Sequence, residues 1–250
     1  MRLNRALQEL RTARSQISIS PRLLLADMAL LGFLDEVEES AHVASVILDS
    51  SLPHRAAPHV RNAFEAAQHA LILATEEDYP LAGARVWVYY YRRDSEIIER
   101  DGKHERASDW YERKLAEMTT LWNQFCAGQG RLIEEARELV DKQPRRPDNW
   151  CGFAPAKELA ARYEIIAKAL GGSPPAGVSE ATNGAFAALS RGTHPRIPNP
   201  AAVVRRGDGT IELLPEQRDD DGARQSVSAG LSSAVMEAML AAVYRAANAS

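Results

Sequence analysis

Apolar residues recur along most of this chain at intervals of three and four, the period of an α-helix that buries one face. The clearest run lies between Pro21 and Asp49, where apolar positions alternate between four and three residues apart. The run consists of Leu30, Leu34, Val37, Ala41, Ala44 and Leu48. It predicts one long helix that starts at Pro21, with Ser20 as its N-cap, and that packs along a neighbouring helix.

Prolines, glycines and capping residues divide the rest of the chain into further predicted helices. These helices run over Leu3–Ile17, Pro58–Glu76, Pro80–Gly102, Asp109–Gly128, Arg131–Lys142, Pro155–Leu170, Ser179–His194 and Ser226–Ala247. Residues expected to face inward include Leu132, Ala136 and Leu139 of the sixth helix and Leu170 of the seventh. The polar stretch Gln217–Arg224 is expected to be a loop.

One segment breaks the helical pattern. Ala201–Arg206 and Thr210–Leu214 are joined through two glycines and predict a β-hairpin. We therefore expect an all-α fold, a multi-helix bundle with one small β-hairpin near the C-terminus. Residues 1–250 are expected to form a single helical domain. Its parts are N-terminal helices that pack on this core or on a second subunit (1–52), a core bundle (53–195), an extended segment with the hairpin and an acidic loop (196–225), and a C-terminal helix (226–250).

The composition is typical of a soluble globular protein. The chain has 250 residues, 45% of them hydrophobic, and 30 Lys and Arg against 34 Asp and Glu give a net charge of −4. A protein that coats nucleic acid needs a broad basic face, so RNA is a conceivable partner that the net charge does not support. The common nucleotide-binding, hydrolase and metalloprotease motifs are absent from the sequence, and no cofactor is expected.

The apolar segments and the cysteines indicate in which compartment the protein is found. The N-terminal segment is charged and lacks the apolar region of a signal peptide. The most apolar stretch, Leu23–Leu34, contains Asp27 and is shorter than the roughly 20 apolar residues that cross a bilayer. Cys126 and Cys151 are far apart in sequence without clustered histidines, which favours reduced thiols over a zinc site. We therefore expect a cytoplasmic protein without a membrane span.

One pattern is compatible with metal binding. Glu39 and His42 form an E-x-x-H pair on the second helix, the spacing with which di-iron bundles direct two ligands toward one metal. Such sites need a second pair, and Glu65 with His69 is the nearest candidate, at a spacing of four. In a chain this rich in glutamate a chance match is expected. Metal binding by these four residues therefore stays an alternative.

Arg61, Glu65 and His69 recur every four residues beside the apolar stripe of the third helix. Two interpretations stay open: an exposed ladder of charges, or the polar lining of a buried pocket. In the fourth helix, Trp87–Arg93 combines aromatic and basic residues that could stack on RNA bases. Successive helical side chains point about 100° apart, so we expect one inward tyrosine, Tyr91, rather than a stacking platform.

The predicted eighth helix ends with Ser190, Arg191 and His194 before Pro195. Histidine can transfer a proton and arginine can hold an anionic phosphate, so Arg191 and His194 could act together in RNA cleavage. The alternative is a helix C-terminus at which cationic side chains complement the helix dipole. We favour this second interpretation.

Three motifs together resemble a family of uncharacterised bacterial all-helical proteins. They are R-N-A-F-E at Arg61–Glu65, a later helix that carries Tyr163, and A-L-S-R-G-T-H-P at Ala188–Pro195. That family is in turn similar to the HEPN-type bundles of abortive-infection and toxin–antitoxin systems, some of which are dimeric, metal-independent ribonucleases. The resemblance covers the predicted core bundle and implies a bacterial defence or stress role. The candidate site residues that it implies are Arg61, Glu65, Ser190 and His194.

The chain departs from the nuclease pattern at the arginine. Those nucleases place an arginine further ahead of the histidine and usually follow it with a polar residue, whereas Arg191 lies close to His194 and Gly192 follows it. We therefore expect a non-enzymatic helical interaction protein that forms a homodimer and can bind a further protein. The regular apolar stripes of the second and fourth helices favour a dimer. A metal-independent ribonuclease is the first alternative and a metal-binding bundle the second.

Overall fold

The computed structural model of the chain describes residues 3–18, 24–49, 53–100, 106–125, 129–142, 150–151, 155–172, 203–207, 211–213 and 220–248. Nearly all of these residues are helical, which confirms the predicted all-α bundle. The helices are α1 (Leu3–Ser18), α2 (Leu25–Leu48), α3 (Ala57–Ala74, after a 3-10 turn at Pro53–Ala56), α4 (Tyr79–Arg100), α5 (Ala107–Phe125), α6 (Gln129–Asp141), α7 (Pro155–Ala169) and α8 (Asp220–Ala247).

Helix α3 is the central element of the main core. It packs mainly against α2 and α8, and also against α7. Most of its residues are buried, and many of them are alanines, so neighbouring helices can approach its backbone closely on several sides. The buried residues of α3 are Ala57, Val60, Ala63, Phe64, Ala66, Ala67, Gln68, Ala70, Leu71, Ile72, Leu73 and Ala74.

A second, smaller core lies between α4, α5 and α6. Its buried residues include Val88 of α4, Leu115 of α5 and Ile133 of α6. Helix α4 joins the two cores because it also packs against α2. At that crossing, a Cβ added to Gly83 would collide with the backbone of Ala26, so the two helices touch there with no space for a side chain.

The predicted stripe of α2 is buried within this chain. Leu30, Leu34, Val37, Ala41 and Ala44 are fully buried in the main core. Helix α3 covers them, and α1 in turn packs on α8 and α2. The stripe therefore requires no second subunit, and the dimer prediction loses the support that it took from this helix.

Several helix boundaries and buried faces differ from prediction. Helix α2 begins at Leu25 rather than Pro21, because Asp27 accepts the backbone N–H of Leu24 at 2.9 Å and caps the helix there. Helix α8 begins at Asp220, so the predicted loop over 217–224 is wrong in its second half.

The buried face of α6 is rotated from the predicted one. Ile133, Ala136 and Val140 are buried, whereas Leu139 is 43% exposed. Both triplets have helical spacing, so apolar periodicity alone could not choose between them. The backbone carbonyl of Val140 accepts a hydrogen bond from Arg92 of α4 at 3.0 Å, which orients this face toward α4. In α7, Leu170 lies just past the helix end and is exposed.

Two short extended segments lie between α7 and α8. Val203–Arg205 and Ile211–Leu213 are antiparallel, with Val203 opposite Leu213 and Arg205 opposite Ile211. Residues 208–210, which would complete the turn, lie outside the described residues, so the hairpin as a whole stays a prediction. The helix predicted over 179–194 also lies outside the described residues.

Candidate functional site

The three predicted site residues of α3 have two different environments. Arg61 donates through Nε to Glu65 Oε1 at 2.8 Å, and both side chains are partly exposed. His69, one turn further, is directed into the protein instead. The exposed charge ladder therefore describes Arg61 and Glu65, and the buried lining describes His69.

His69 belongs to an aromatic cluster formed by Phe33, His69, Tyr90 and Trp150. Its ring stacks on Phe33 with centroids 5.5 Å apart, and Trp150 Nε1 donates to His69 Nδ1 at 3.0 Å. Burial lowers the pKa of His69 to about 4, so the ring is neutral near neutral pH. With Nδ1 accepting, His69 links α3 to Trp150 and is poorly suited to hold a proton for catalysis.

Tyr91 is not part of this cluster. It packs against Trp87 and Trp110 beside the second core and is only half-buried. The buried tyrosine of the run is Tyr89, whereas Tyr91 is half-buried against the second core, so the expectation that Tyr91 would be the one inward tyrosine is not met. Because α4 lies between two cores, it has apolar neighbours on two sides and its successive tyrosines all find packing partners.

The candidate site residues at the end of the predicted eighth helix, Ser190, Arg191 and His194, lie outside the described residues. Their convergence with Arg61 and Glu65 therefore stays a prediction.

The metal-binding alternative receives no support from its four residues. Glu39 and His42 are exposed on α2, Glu65 is paired with Arg61, and His69 Nδ1 already accepts a hydrogen bond. Within the part of the chain that the structure describes, no group of three potential ligands lies close enough to hold an ion.

A buried ionic cluster that the sequence did not predict joins α2, α4 and α8. Tyr79 Oη donates to Asp27 Oδ1 at 2.8 Å, and Arg245 Nε donates to the same oxygen at 2.7 Å. The guanidinium of Arg245 also lies 4.2 Å above the Tyr79 ring. Asp27 interrupts the most apolar stretch of the sequence, which is a local signal of a buried charged group. Its partner Arg245 is 218 residues away, however, and no local pattern identifies it.

A second buried carboxyl group lies in the middle of α8. Glu237 is 2% exposed, and neither of its oxygens has a hydrogen-bond partner among the described residues. Tyr163 of α7 interacts with it electrostatically. Burial raises the pKa of Glu237 to about 8, so the group is mainly protonated at neutral pH.

The outer side of α8 has an apolar row that the described residues leave partly exposed, although Leu240 also packs against the main core. Between Arg224 and Arg245 the one charged residue is Glu237, and it faces inward. On the outer side Met236 is 42% and Val243 37% exposed. The row, which we call the α8 seam, consists of Ala229, Ser233, Met236, Leu240, Val243 and Ala247, all at least partly exposed.

The α8 seam has the spacing of a coiled-coil interface. Its members are alternately four and three residues apart, which is the heptad pattern of a helix that packs along another helix. Arg224–Ala247 is also long and apolar enough to cross a bilayer, but half of its most apolar window is buried inside the protein. A buried half is typical of a core helix, so its length and apolar composition are weak evidence for a membrane span.

Comparisons with family models, curated proteins and solved structures find no match to this chain.

Proposed function

We propose that this chain is a non-catalytic helical interaction protein that forms a homodimer through the α8 seam. The observation that carries the proposal is the heptad row of Met236, Leu240 and Val243 on a helix face without charges. A row of this kind packs against another helix when one is present. A cytoplasmic bacterial defence or stress setting, which the family resemblance implies, is part of the proposal.

The α8 seam is compatible with a second copy as the partner because it carries no charge. The chain has a net charge of −4, so most encounters between two copies meet electrostatic repulsion. The α8 seam is uncharged, and two copies of it can meet without placing like charges opposite each other.

The order of the residues also favours self-association. The row is symmetric about position 238, so in an antiparallel pair Met236 meets Leu240 and Ser233 meets Val243 of the second copy. A two-fold axis requires this reciprocity. From Ala229 to Ala247 the seam would extend over about 27 Å of helix, at about 1.5 Å per residue.

Light scattering on the purified chain tests the proposal. The native chain is expected to have twice the mass of one copy at micromolar concentration. Met236→Glu is expected to give a monomer, because it would bury a carboxylate in the seam of each copy. Leu121→Glu adds the same charge at an exposed apolar site on α5 and is expected to leave the dimer intact.

Two outcomes would contradict the proposal. A monomeric native chain removes self-association. If flotation shows the native chain bound to lipid vesicles and Met236→Glu releases it, the seam contacts a membrane instead.

The ribonuclease alternative needs a separate test. Among the described residues it rests on Arg61 and Glu65, which already bind each other. We expect RNA to stay intact when it is incubated with the native chain and when it is incubated with His194→Ala. RNA cleavage by the native chain that His194→Ala abolishes would establish the nuclease instead.

A further inference from the structure

Glu237 lies beside the α8 seam, about 100° around the helix from Met236. It follows Met236 in sequence and faces the interior of the main core, while Met236 faces outward. Both oxygens of Glu237 lack hydrogen-bond partners among the described residues. A carboxyl group in such a position is tolerated when neutral, and its charged form is costly.

The charged groups of the neighbouring helices are engaged elsewhere. Tyr163 of α7 is the one ionisable group of the described residues that affects the pKa of Glu237. On α7, Arg162 is paired with Glu76. The charged groups of the other neighbouring elements also have partners or are exposed: Arg11 and Arg14 of α1 pair with Glu38 and Asp35 of α2, Asp27 pairs with Arg245, Arg61 of α3 pairs with Glu65, His69 binds Trp150, and Arg55 of the 3-10 turn is exposed. No described cation is therefore in place to balance an ionised Glu237.

We propose that Glu237 makes self-association through the α8 seam dependent on pH, an inference that rests on the proposed function. The neutral carboxyl group allows the packing of α8 on α3 and α7 that the structure shows, and in this arrangement Met236 and Val243 are exposed. Loss of the proton places an uncompensated charge inside the core. Water must then reach the carboxylate, and α8 moves away from α7 to admit it.

The pH range follows from the burial of the group. Because burial raises the pKa of Glu237 to about 8, the neutral form dominates at pH 6.5 and the charged form at pH 9. If only the neutral form presents the seam, about one tenth of the protomers can dimerise at pH 9. The dissociation constant of the dimer then rises by up to about tenfold for each of its two protomers.

Sedimentation equilibrium at pH 6.5 and pH 9 tests the inference on the full chain. The native dimer is expected to weaken strongly at pH 9. Glu237→Gln keeps the size of the side chain without an ionisable proton and is expected to dimerise equally at both values. The matched control is Glu164→Gln, which removes an exposed carboxylate beside Tyr163 and is expected to retain the native pH dependence.

A second variant keeps the inference testable if Glu237→Gln does not fold. The Tyr163 hydroxyl lowers the pKa of Glu237, so Tyr163→Phe is expected to move the midpoint of dissociation to higher pH. A native dimer with equal affinity at both pH values, or an unmoved midpoint in Tyr163→Phe, overturns the inference and leaves the proposed function standing. A native chain that is monomeric at both pH values overturns both.

Discussion

Asp27 and Glu237 are both almost completely buried carboxyl groups, but their surroundings are opposite. Asp27 accepts hydrogen bonds from Tyr79, Arg245 and the backbone of Leu24. Glu237 has no such partners among the described residues. A buried carboxylate with several donors can stay ionised and hold helices together, whereas one without donors stays protonated and makes its helix sensitive to pH. Helix α8 takes part in both arrangements.

The largest expected effect comes from removing one partner of the ionic cluster. Arg245→Met leaves the charge of Asp27 buried without its cation, so the free energy of unfolding should fall by about 3–5 kcal/mol. Urea unfolding measures this loss. Arg5→Met removes the exposed pair with Glu9 and should cost less than about 1 kcal/mol. Similar losses in the two variants would show that the buried cluster adds no special stability.

The next effect concerns the carboxyl group without partners. In the unfolded chain Glu237 ionises near its ordinary pKa of 4.5, but in the folded chain near 8. The folded state therefore loses stability relative to Glu237→Gln as pH rises from about 5 to 8, and loses no more above that range. The difference should reach about 3 kcal/mol in urea unfolding at pH 7 and vanish at pH 4. Parallel stability curves would contradict the protonated state of Glu237.

A smaller effect tests the helix contact that supports Asp27. Gly83→Ala would force α4 away from Ala26, next to Asp27, and should cost about 2 kcal/mol. Gly32 is the matched control, since nothing lies within 4 Å of a Cβ added there, and Gly32→Ala should stabilise α2 by about 0.5–1 kcal/mol. Thermal unfolding separates the two signs. Equal effects would mean that α2 and α4 do not need this close approach.

The smallest effect compares the two tyrosines. Tyr79→Phe removes a hydrogen bond to Asp27 and should cost about 1.5 kcal/mol at neutral pH. Tyr163→Phe should cost less, because Tyr163 faces a carboxyl group that is mainly neutral, and interactions with neutral groups contribute less than hydrogen bonds to charged ones. Urea unfolding of the two variants measures this order. A larger loss of unfolding free energy in Tyr163→Phe would show that Glu237, rather than Asp27, depends more strongly on its tyrosine.

Local sequence patterns predicted the helices well and their partners poorly. The stripe from Leu30 to Ala44 identified a buried face, because period and burial are local properties. On α8 the same period predicts Leu231 and Val235 as inward residues, and both are buried, but it also occurs on the outer side, at Met236 and Val243. When a helix has apolar residues on all sides, the period alone does not show which side packs on the core.

The candidate site was harder to predict for a related reason. Arg61 and Glu65 are close in sequence, and their pairing is a local property that could be inferred. The partners of Asp27, His69 and Glu237 come from distant helices, and their contacts depend on the packing of the whole bundle. Burial of a single acidic residue in an apolar run is the one local signal that such a contact exists.

Sedimentation equilibrium of the native chain at pH 6.5 tests the central claim most directly, because it asks whether the partly exposed row on α8 finds a second copy. One copy has a mass of 27.5 kDa. Dimerisation through this row predicts a mass about twice that value, with the single-copy mass returning in Met236→Glu. A native chain that keeps the mass of one copy across the micromolar range would contradict it.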